Sequence, residues 1–276
     1  MIEKFDRTAL VPENEYRKIS LSILKRFDKF CRENDIKYTL TQGTLLGAVR
    51  HKGFIPWDDD IDIAVPRPDF DKILSLKDRL PDEMCFLNFP DNPEFSRLYG
   101  RICDMNYLNV DKYYSKKYVH YFGLDVFPVE AVPDDDEEYL RLAKKLSRLR
   151  SMFILSNSAF FKGISFLKAF VIKPPLMLIC KIIGRKRIYK MFYDALSSYD
   201  YDNAHSVAIV TGAYAPREKM PKQIYDNLTE IEYENGKYFA VGDYNYYLEK
   251  IYGDYMELPP EKDRVGHHNF NIYKIM

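Results

Sequence analysis

The sequence predicts an α/β or α+β fold. Three observations carry that expectation. Short apolar runs of strand length recur through the first half of the chain, segments with a helical period separate them, and Asn235-Gly236 between two later runs is a hairpin signal.

The elements follow in order. Across residues 14–34, Ile19, Leu21, Ile23, Leu24, Phe27 and Phe30 share one broad face among charges, an amphipathic helix that ends near Asn34-Asp35. Tyr38–Thr41 reads as a strand, Gly43–Val49 opens a helix and Ile61–Val65 forms a second strand. Pro68 suits a first helical turn and leads Phe70–Leu80 into a helix that Pro81 stops. Met84–Phe89, Leu98–Asp104, Tyr107–Val110 and Val119–Val126 read as further strands. The acidic run at 134–138, after Pro133, is a helix start whose acids sit at the positive end of the dipole.

From Tyr139 to Tyr193 there are 13 Lys or Arg and no Asp or Glu, so this segment has a strongly basic side. Within it Phe160–Ile183 interleaves apolar residues with Lys162, Lys168, Lys173 and Lys181 and is interrupted by Pro174-Pro175. Two short helices lying on an anionic membrane surface have this pattern, as does a helical subdomain packed on the core with a basic outer side. After Asp194 the charge is mixed again. Val207–Thr211 is a strand, Ile231–Tyr233 and Tyr238–Val241 pair as a hairpin, and Asp243 caps a helix through Tyr252 that Gly253 ends. The expected organisation is a catalytic core over 1–138, a basic helical insertion over 139–200, and a C-terminal part over 201–276 that completes the core.

Composition bounds the function. With 276 residues the chain can bury a substantial core, and 46% hydrophobic with 30% charged residues is ordinary for a globular protein. A net charge of zero argues against nucleic acid as a partner. Cys31, Cys85, Cys103 and Cys180 are far apart, as expected of reduced, mostly buried thiols in a cytoplasmic protein. The first residues lack the apolar core of a signal peptide, and no run of 18 apolar residues marks a membrane span.

Chemistry concentrates between residues 38 and 65. A strand runs into Gly43-Thr44, where backbone N–H groups and a hydroxyl can bind a phosphate oxygen. A basic turn (Arg50, His51, Lys52, Gly53) precedes Pro56-Trp57 and the carboxylates Asp58, Asp59, Asp60 and Asp62. Asp60 and Asp62 alternate with Ile61 and Ile63, so on a strand both leave one face. Two adjacent carboxylates repel unless a cation or proton intervenes, and hard oxygen ligands suit Mg²⁺ or Mn²⁺. The competing reading, a solvated acidic turn, accounts for Asp58 and Asp59. Arg50 and Lys52 are candidate diphosphate contacts or solvated turn residues, and Trp57 either stacks on a base or sugar or anchors the loop. Asp125, within an apolar strand, is the candidate third carboxylate for metal binding or general base, with a buried pairing to an arginine such as Arg101 as the alternative.

The run Gln42–Ile63 resembles the signature of the LicD family of phosphotransferases, relatives of the fukutin-type glycan-modifying enzymes. The likeness continues at Phe122–Pro128 and returns at Tyr247-Leu248, Tyr252–Met256, Leu258–Pro260 and His267-His268. It implies a nucleotidyltransferase-like mixed sheet, metal on Asp60, Asp62 and Asp125, and donor contacts from Arg264, His267 and His268. The implied activity is Mg²⁺-dependent transfer of phosphocholine from CDP-choline to a sugar hydroxyl of a lipid-linked surface glycan or teichoic acid precursor, with release of CMP. The enzyme would be cytoplasmic, peripheral on the inner membrane face through residues 139–193. Three rivals stand beside it: a CDP-ribitol or CDP-glycerol donor, nucleotidyl transfer with release of pyrophosphate, and a membrane-associated binding module without activity.

Overall fold

The structure, a computed structural model, describes residues 8–111, 120–157, 173–212, 214–266 and 270–276. In chain order these form β1 (Thr8–Leu10), α1 (Tyr16–Glu33), β2 (Thr39–Leu40), α2 (Gln42–His51), β3 (Asp62–Pro66), α3 (Arg67–Leu76), β4 (Met84–Leu87), β5 (Gly100–Asp111), β6 (His120–Val132) and α4 (Asp136–Asn157). There follow α5 (Lys173–Ile183), α6 (Arg185–Asp194), β7 (Ser206–Ala208), β8 (Met220–Pro221), α7 (Gln223–Asp226), β9 (Leu228–Tyr233), β10 (Gly236–Val241), α8 (Tyr244–Tyr252) and β11 (Phe270–Ile275). The fold is α+β, built on a mixed sheet.

The main sheet runs β1-β11-β5-β6-β3-β2, with β4 on β5 and β7 on the far end of β6. Only the β3–β6 pair among these is parallel. The stretch expected as two strands, 98–104 and 107–110, is one strand, β5, with a register shift against β6 between Asp104 and Leu108. An irregularity of this kind bends a strand without ending it.

Helix α1 buries Ile19, Ile23, Leu24, Phe27 and Phe30 on the face that the sequence marks out. It stops because the Asn34 side-chain amide donates to the Phe30 carbonyl (2.8 Å) and Asp35 turns to φ 49°. The hairpin β9–β10 closes with two residues, Glu234 and Asn235, with Glu234 at φ 53°. The Asp243 carboxylate accepts from Tyr246 N (3.0 Å) to cap α8, and Gly253 at φ 75° ends it. Asp136, Glu137 and Glu138 occupy the first turn of α4, as the dipole favours. Pro174 and Pro175 lie in the first turn of α5 rather than between two helices, since proline's missing N–H costs nothing there.

Two cores result. The larger packs α1, α2, α3 and α8 on the sheet, with Phe27, Tyr38, Leu40, Leu45, Val126 and Tyr247 inside. The smaller gathers Leu146, Phe153, Ile188 and Phe192 of α4 and α6 with Phe89, Leu98 and Val210. No helix among the described residues is long and apolar enough to cross a membrane.

Gly123 marks the tightest approach of β5 to β6: a Cβ there would lie 2.1 Å from the Ile102 carbonyl oxygen and 2.8 Å from Cys103 Cα. Backbone cannot yield as a side-chain tip does. Gly123→Ala should therefore destabilise the fold by roughly 1–3 kcal/mol, read as a lower urea midpoint at unchanged slope. An unmoved midpoint would mean that the strands have room there.

Candidate active site

The parallel pairing fixes the centre of the site. Asp62 of β3 stands in register with Asp125 of β6, and Asp125 in turn with Arg101 of β5, so one row crosses three strands. Arg101 donates to Asp125 Oδ1 from Nε (2.6 Å) and Nη2 (2.5 Å), and the Tyr99 hydroxyl donates to Oδ2 (2.8 Å). The Arg101 and Asp125 side chains are 14% and 17% exposed, so this pair works in a low dielectric. Burial pulls the Arg101 guanidinium down, but the Asp125 carboxylate outweighs it and holds the cation above its ordinary range. The arginine pairing considered for Asp125 is thus present. Oδ1 accepts twice and Oδ2 once, which leaves a lone pair on Oδ2 for another partner.

Helix α2 holds Asp62 from the other side. Thr44 Oγ1 accepts from Asp62 N (2.8 Å), and Thr41 N donates to the Asp62 carbonyl (3.1 Å). Gly43 lies where a Cβ would stand 3.1 Å from Asp58 Oδ2, so the carboxylate run folds back over the helix start. Asp60, expected on one strand with Asp62, instead precedes β3 outside any regular element and, like Asp62, is half-buried. Among the described residues no three His, Cys, Asp or Glu side chains gather closely enough to hold a metal by themselves. Mg²⁺ does not need three: it is commonly held by one or two carboxylates plus substrate phosphates, a donor set that Asp62 and Asp125 fit.

The loop between α2 and β3 is clamped at both ends. Arg17 of α1 donates to the carbonyls of Ile55 (3.0 Å), Pro56 (2.8 Å) and Asp58 (2.6 Å). Glu234, at the hairpin turn, donates its N–H to the Lys52 carbonyl (2.7 Å) and accepts from Phe54 N through Oε1 (3.0 Å). Gly47 is obligatory beneath this loop, because a Cβ would fall 2.4 Å from the Gly53 carbonyl oxygen.

Around that loop a cleft of about 550 Å³ opens, lined by Trp57, Tyr214, Tyr252 and Tyr255 with Asp58 and Asp254 among others. Gly43 and Arg50 line it too. The Arg50 guanidinium donates to the carbonyls of Tyr255 (2.9 Å) and Glu257 (3.3 Å), tying the cleft wall to α2. Lys52 is exposed, ends α2 in the left-handed conformation (φ 58°) and is not among the cleft's lining residues. Arg264 stands with its guanidinium 5.9 Å from the Trp57 ring centroid and donates to Pro259 O (2.8 Å). His267 and His268 lie outside the described residues. Tyr252 packs edge-on against Tyr214 (5.5 Å), and burial followed by the Tyr214 and Asp62 charges raises its phenol.

Sequence reasoning missed Arg17 and Glu234, which look like solvated charges on a helix and a turn. It also missed Glu218, which is fully buried. The Tyr247 hydroxyl donates to Glu218 Oε2 (3.2 Å) and lies 2.8 Å from Thr41 Oγ1, so this carboxyl sits behind the helix start that holds Asp62. Oε1 has no partner.

A mixed sheet that aligns two carboxylates beside a Gly-Thr helix start agrees with the nucleotidyltransferase-like sheet that the sequence resemblance implies. Residues 35–155 match the family described as LicD/FKTN/FKRP, nucleotidyltransferase domain. The chain is 28% identical over 265 residues to the lipopolysaccharide cholinephosphotransferase LicD of Haemophilus influenzae, spanning 94% of this chain and 97% of that protein. Shorter matches, 46% identical over 57 residues and 49% over 47, join it to uncharacterized proteins of Rickettsia typhi and Rickettsia prowazekii, covering 18% of each. Both comparisons support a LicD-family phosphotransferase, an enzyme of the transferase class.

Glu218 gives this site a pH dependence. Burial pushes its carboxyl up to about 8, partly offset by the Tyr247 hydrogen bond. The folded state therefore keeps a proton that the unfolded chain releases above the ordinary carboxyl range. Stability falls as pH rises from there to about 8 and then levels. In melting curves between pH 5.5 and 8.5, Glu218→Gln should lose much of that decline. Parallel curves for the two proteins would show that Glu218 is ionised throughout.

Proposed function

We propose that the protein transfers phosphocholine from CDP-choline to a sugar hydroxyl of a cell-surface glycan precursor and releases CMP. The observation that carries this reading is the Asp62–Asp125 row beside the Gly43-Thr44 helix start, in a chain similar over nearly its whole length to a cholinephosphotransferase. The acceptor hydroxyl attacks the choline-bearing phosphorus in line, the bond from that phosphorus to the bridging oxygen breaks, and CMP leaves. Asp62, with Asp60 from the adjoining stretch, would hold Mg²⁺ or Mn²⁺, which would neutralise the donor's diphosphate charge. Asp125, oriented by Arg101 and Tyr99, completes that ligand set or takes the hydroxyl proton. Thr44 fixes Asp62, and the Gly43 backbone admits a phosphate oxygen beside it.

The cleft favours choline over ribitol or glycerol as head group. A quaternary ammonium is stabilised by aromatic faces and carboxylates, and this cleft offers Trp57, Tyr214, Tyr252 and Tyr255 beside Asp58 and Asp254. A neutral polyol gains little from such walls. The test is CMP release with CDP-choline, CDP-ribitol or CDP-glycerol, each with Mg²⁺ and a cell-envelope glycan extract. Asp62→Asn should lower kcat at least about 100-fold. Trp57→Ala should raise KM for CDP-choline roughly 2- to 30-fold, the value of one cation–π contact. Turnover of a polyol donor alone would transfer the reading to a polyol-phosphate transferase, and pyrophosphate as product would move it to nucleotidyl transfer.

A second reading concerns where the enzyme works. Helix α5 exposes Leu178, Ile179 and Ile182 at 59%, 52% and 76%, and Lys186, Arg187 and Lys190 stand exposed just beyond on α6. An apolar helix face bordered by cations in a segment without acids fits an anionic lipid surface. Phe160–Ile172, also part of that expectation, lie outside the described residues. Ile182→Asp should reduce co-flotation with vesicles containing phosphatidylglycerol several-fold while leaving the melting temperature unchanged. Equal flotation of both proteins would remove α5 from any membrane contact.

A further inference from the structure

Two of the cysteines meet across strands. Cys85 of β4 is the register partner of Cys103 of β5, in an antiparallel pair. Partners in such a pair point to the same face, with Cα atoms about 4.5–5.5 Å apart. A disulfide joins Cα atoms roughly 4.4–6.8 Å apart, so this backbone already has the required spacing. Met84, Phe86 and Ile102 belong to the core, and alternation along the strands turns both sulfurs to the opposite face. Cys103 is in turn the partner of Gly123 on β6. Cys85, Cys103 and Gly123 thus form the row next to that of Arg101 and Asp125, on the same face.

The two thiols differ in access and in acidity. Cys103 is fully buried, with its Sγ 3.8 Å from the Arg101 carbonyl oxygen. Cys85 is half-buried and lines a cleft of about 370 Å³ with Glu83 and Met105. A hydrogen bond with Cys103 lowers the Cys85 thiol from its ordinary range, against burial and the Asp104 charge. Burial raises the Cys103 thiol well above that range. Both partners have freedom to approach. Among the described strands β4 pairs with β5 alone, so this edge strand can shift toward its neighbour. At Gly123 a Cβ would lie 2.7 Å from the Cys103 sulfur, and without it that sulfur has room to turn.

We infer that Cys85 and Cys103 are an oxidative modification site, a thiol pair that hydrogen peroxide converts into a disulfide linking β4 to β5 beside the carboxylate row. The Cys85 thiolate attacks one peroxide oxygen, the O–O bond breaks, and the released hydroxide takes a proton to become water. Cys85 is then a sulfenic acid. The Cys103 sulfur attacks the Cys85 sulfur, the S–O bond breaks, and the hydroxyl leaves as water with the Cys103 proton. Two thiols lose two electrons and two protons, and one peroxide becomes two waters. The inference does not rest on the transfer reading, since each of its readouts is made without turnover.

The experiment is oxidation of the reduced full chain by hydrogen peroxide at neutral pH, followed by intact mass and peptide mapping. The mass should fall by that of two hydrogens, one cross-link should join Cys85 to Cys103, and dithiothreitol should reverse both. Cys31→Ala and Cys180→Ala should close as the wild type does. Cys103→Ala has no resolving thiol, so dimedone should trap a sulfenic acid on Cys85. Cys85→Ser should slow oxidation of Cys103 at least about 10-fold, because a buried thiol presents little thiolate. If neither variant folds, the wild-type map decides the matter. Gain of oxygen without a cross-link, or a link through Cys31 or Cys180, would overturn the pair. So would a link that forms in urea but not in the folded protein, since the fold would then hold the sulfurs apart.

Discussion

The register of β3 against β6 is the constraint from which the site follows. It sets Asp62 beside Asp125, two acids that would separate in solution, and the parallel ladder gives them no freedom to do so. A slip of β3 by one residue would turn Asp62 to the other face, where Ile63, Leu124 and Val126 fill the core. Burial of those apolar side chains thus holds the carboxylates together. Arg101 and Tyr99 offset the charge on one member of the pair from the third strand. A buried ion pair of this kind is poor at adding stability, and its removal by halves is costly. Its value here is orientation.

The second constraint is the loop between α2 and β3. Its path is decided by backbone crowding and by partners remote in sequence. Gly47 lets the Gly53 carbonyl approach, Arg17 gathers three carbonyls of the loop from α1, and Glu234 pins Lys52 and Phe54 from the hairpin. Trp57 and Asp58 consequently stand as a wall shared by the aromatic cleft and a neighbouring one that Arg17 and Tyr16 line. The loop is held on both sides, so its carboxylates face α2 without being part of a regular element.

Much of this could be read from the sequence, for identifiable reasons. Helices α1 and α8 and the β9–β10 hairpin follow local rules: periodicity, an Asp cap, a glycine stop, a two-residue turn. Asp60, Asp62, Gly43 and Thr44 could be singled out because they stand within 20 residues of one another, in a pattern that apolar neighbours make costly. The continuity of β5 could not be read, because its irregular middle resembles a turn when the partner strand is unknown. Nor could Arg17, Glu218 or Glu234 be distinguished from solvated charges. Each acquires its meaning from a residue far away in the chain, and pattern-reading along one helix or turn carries no such information.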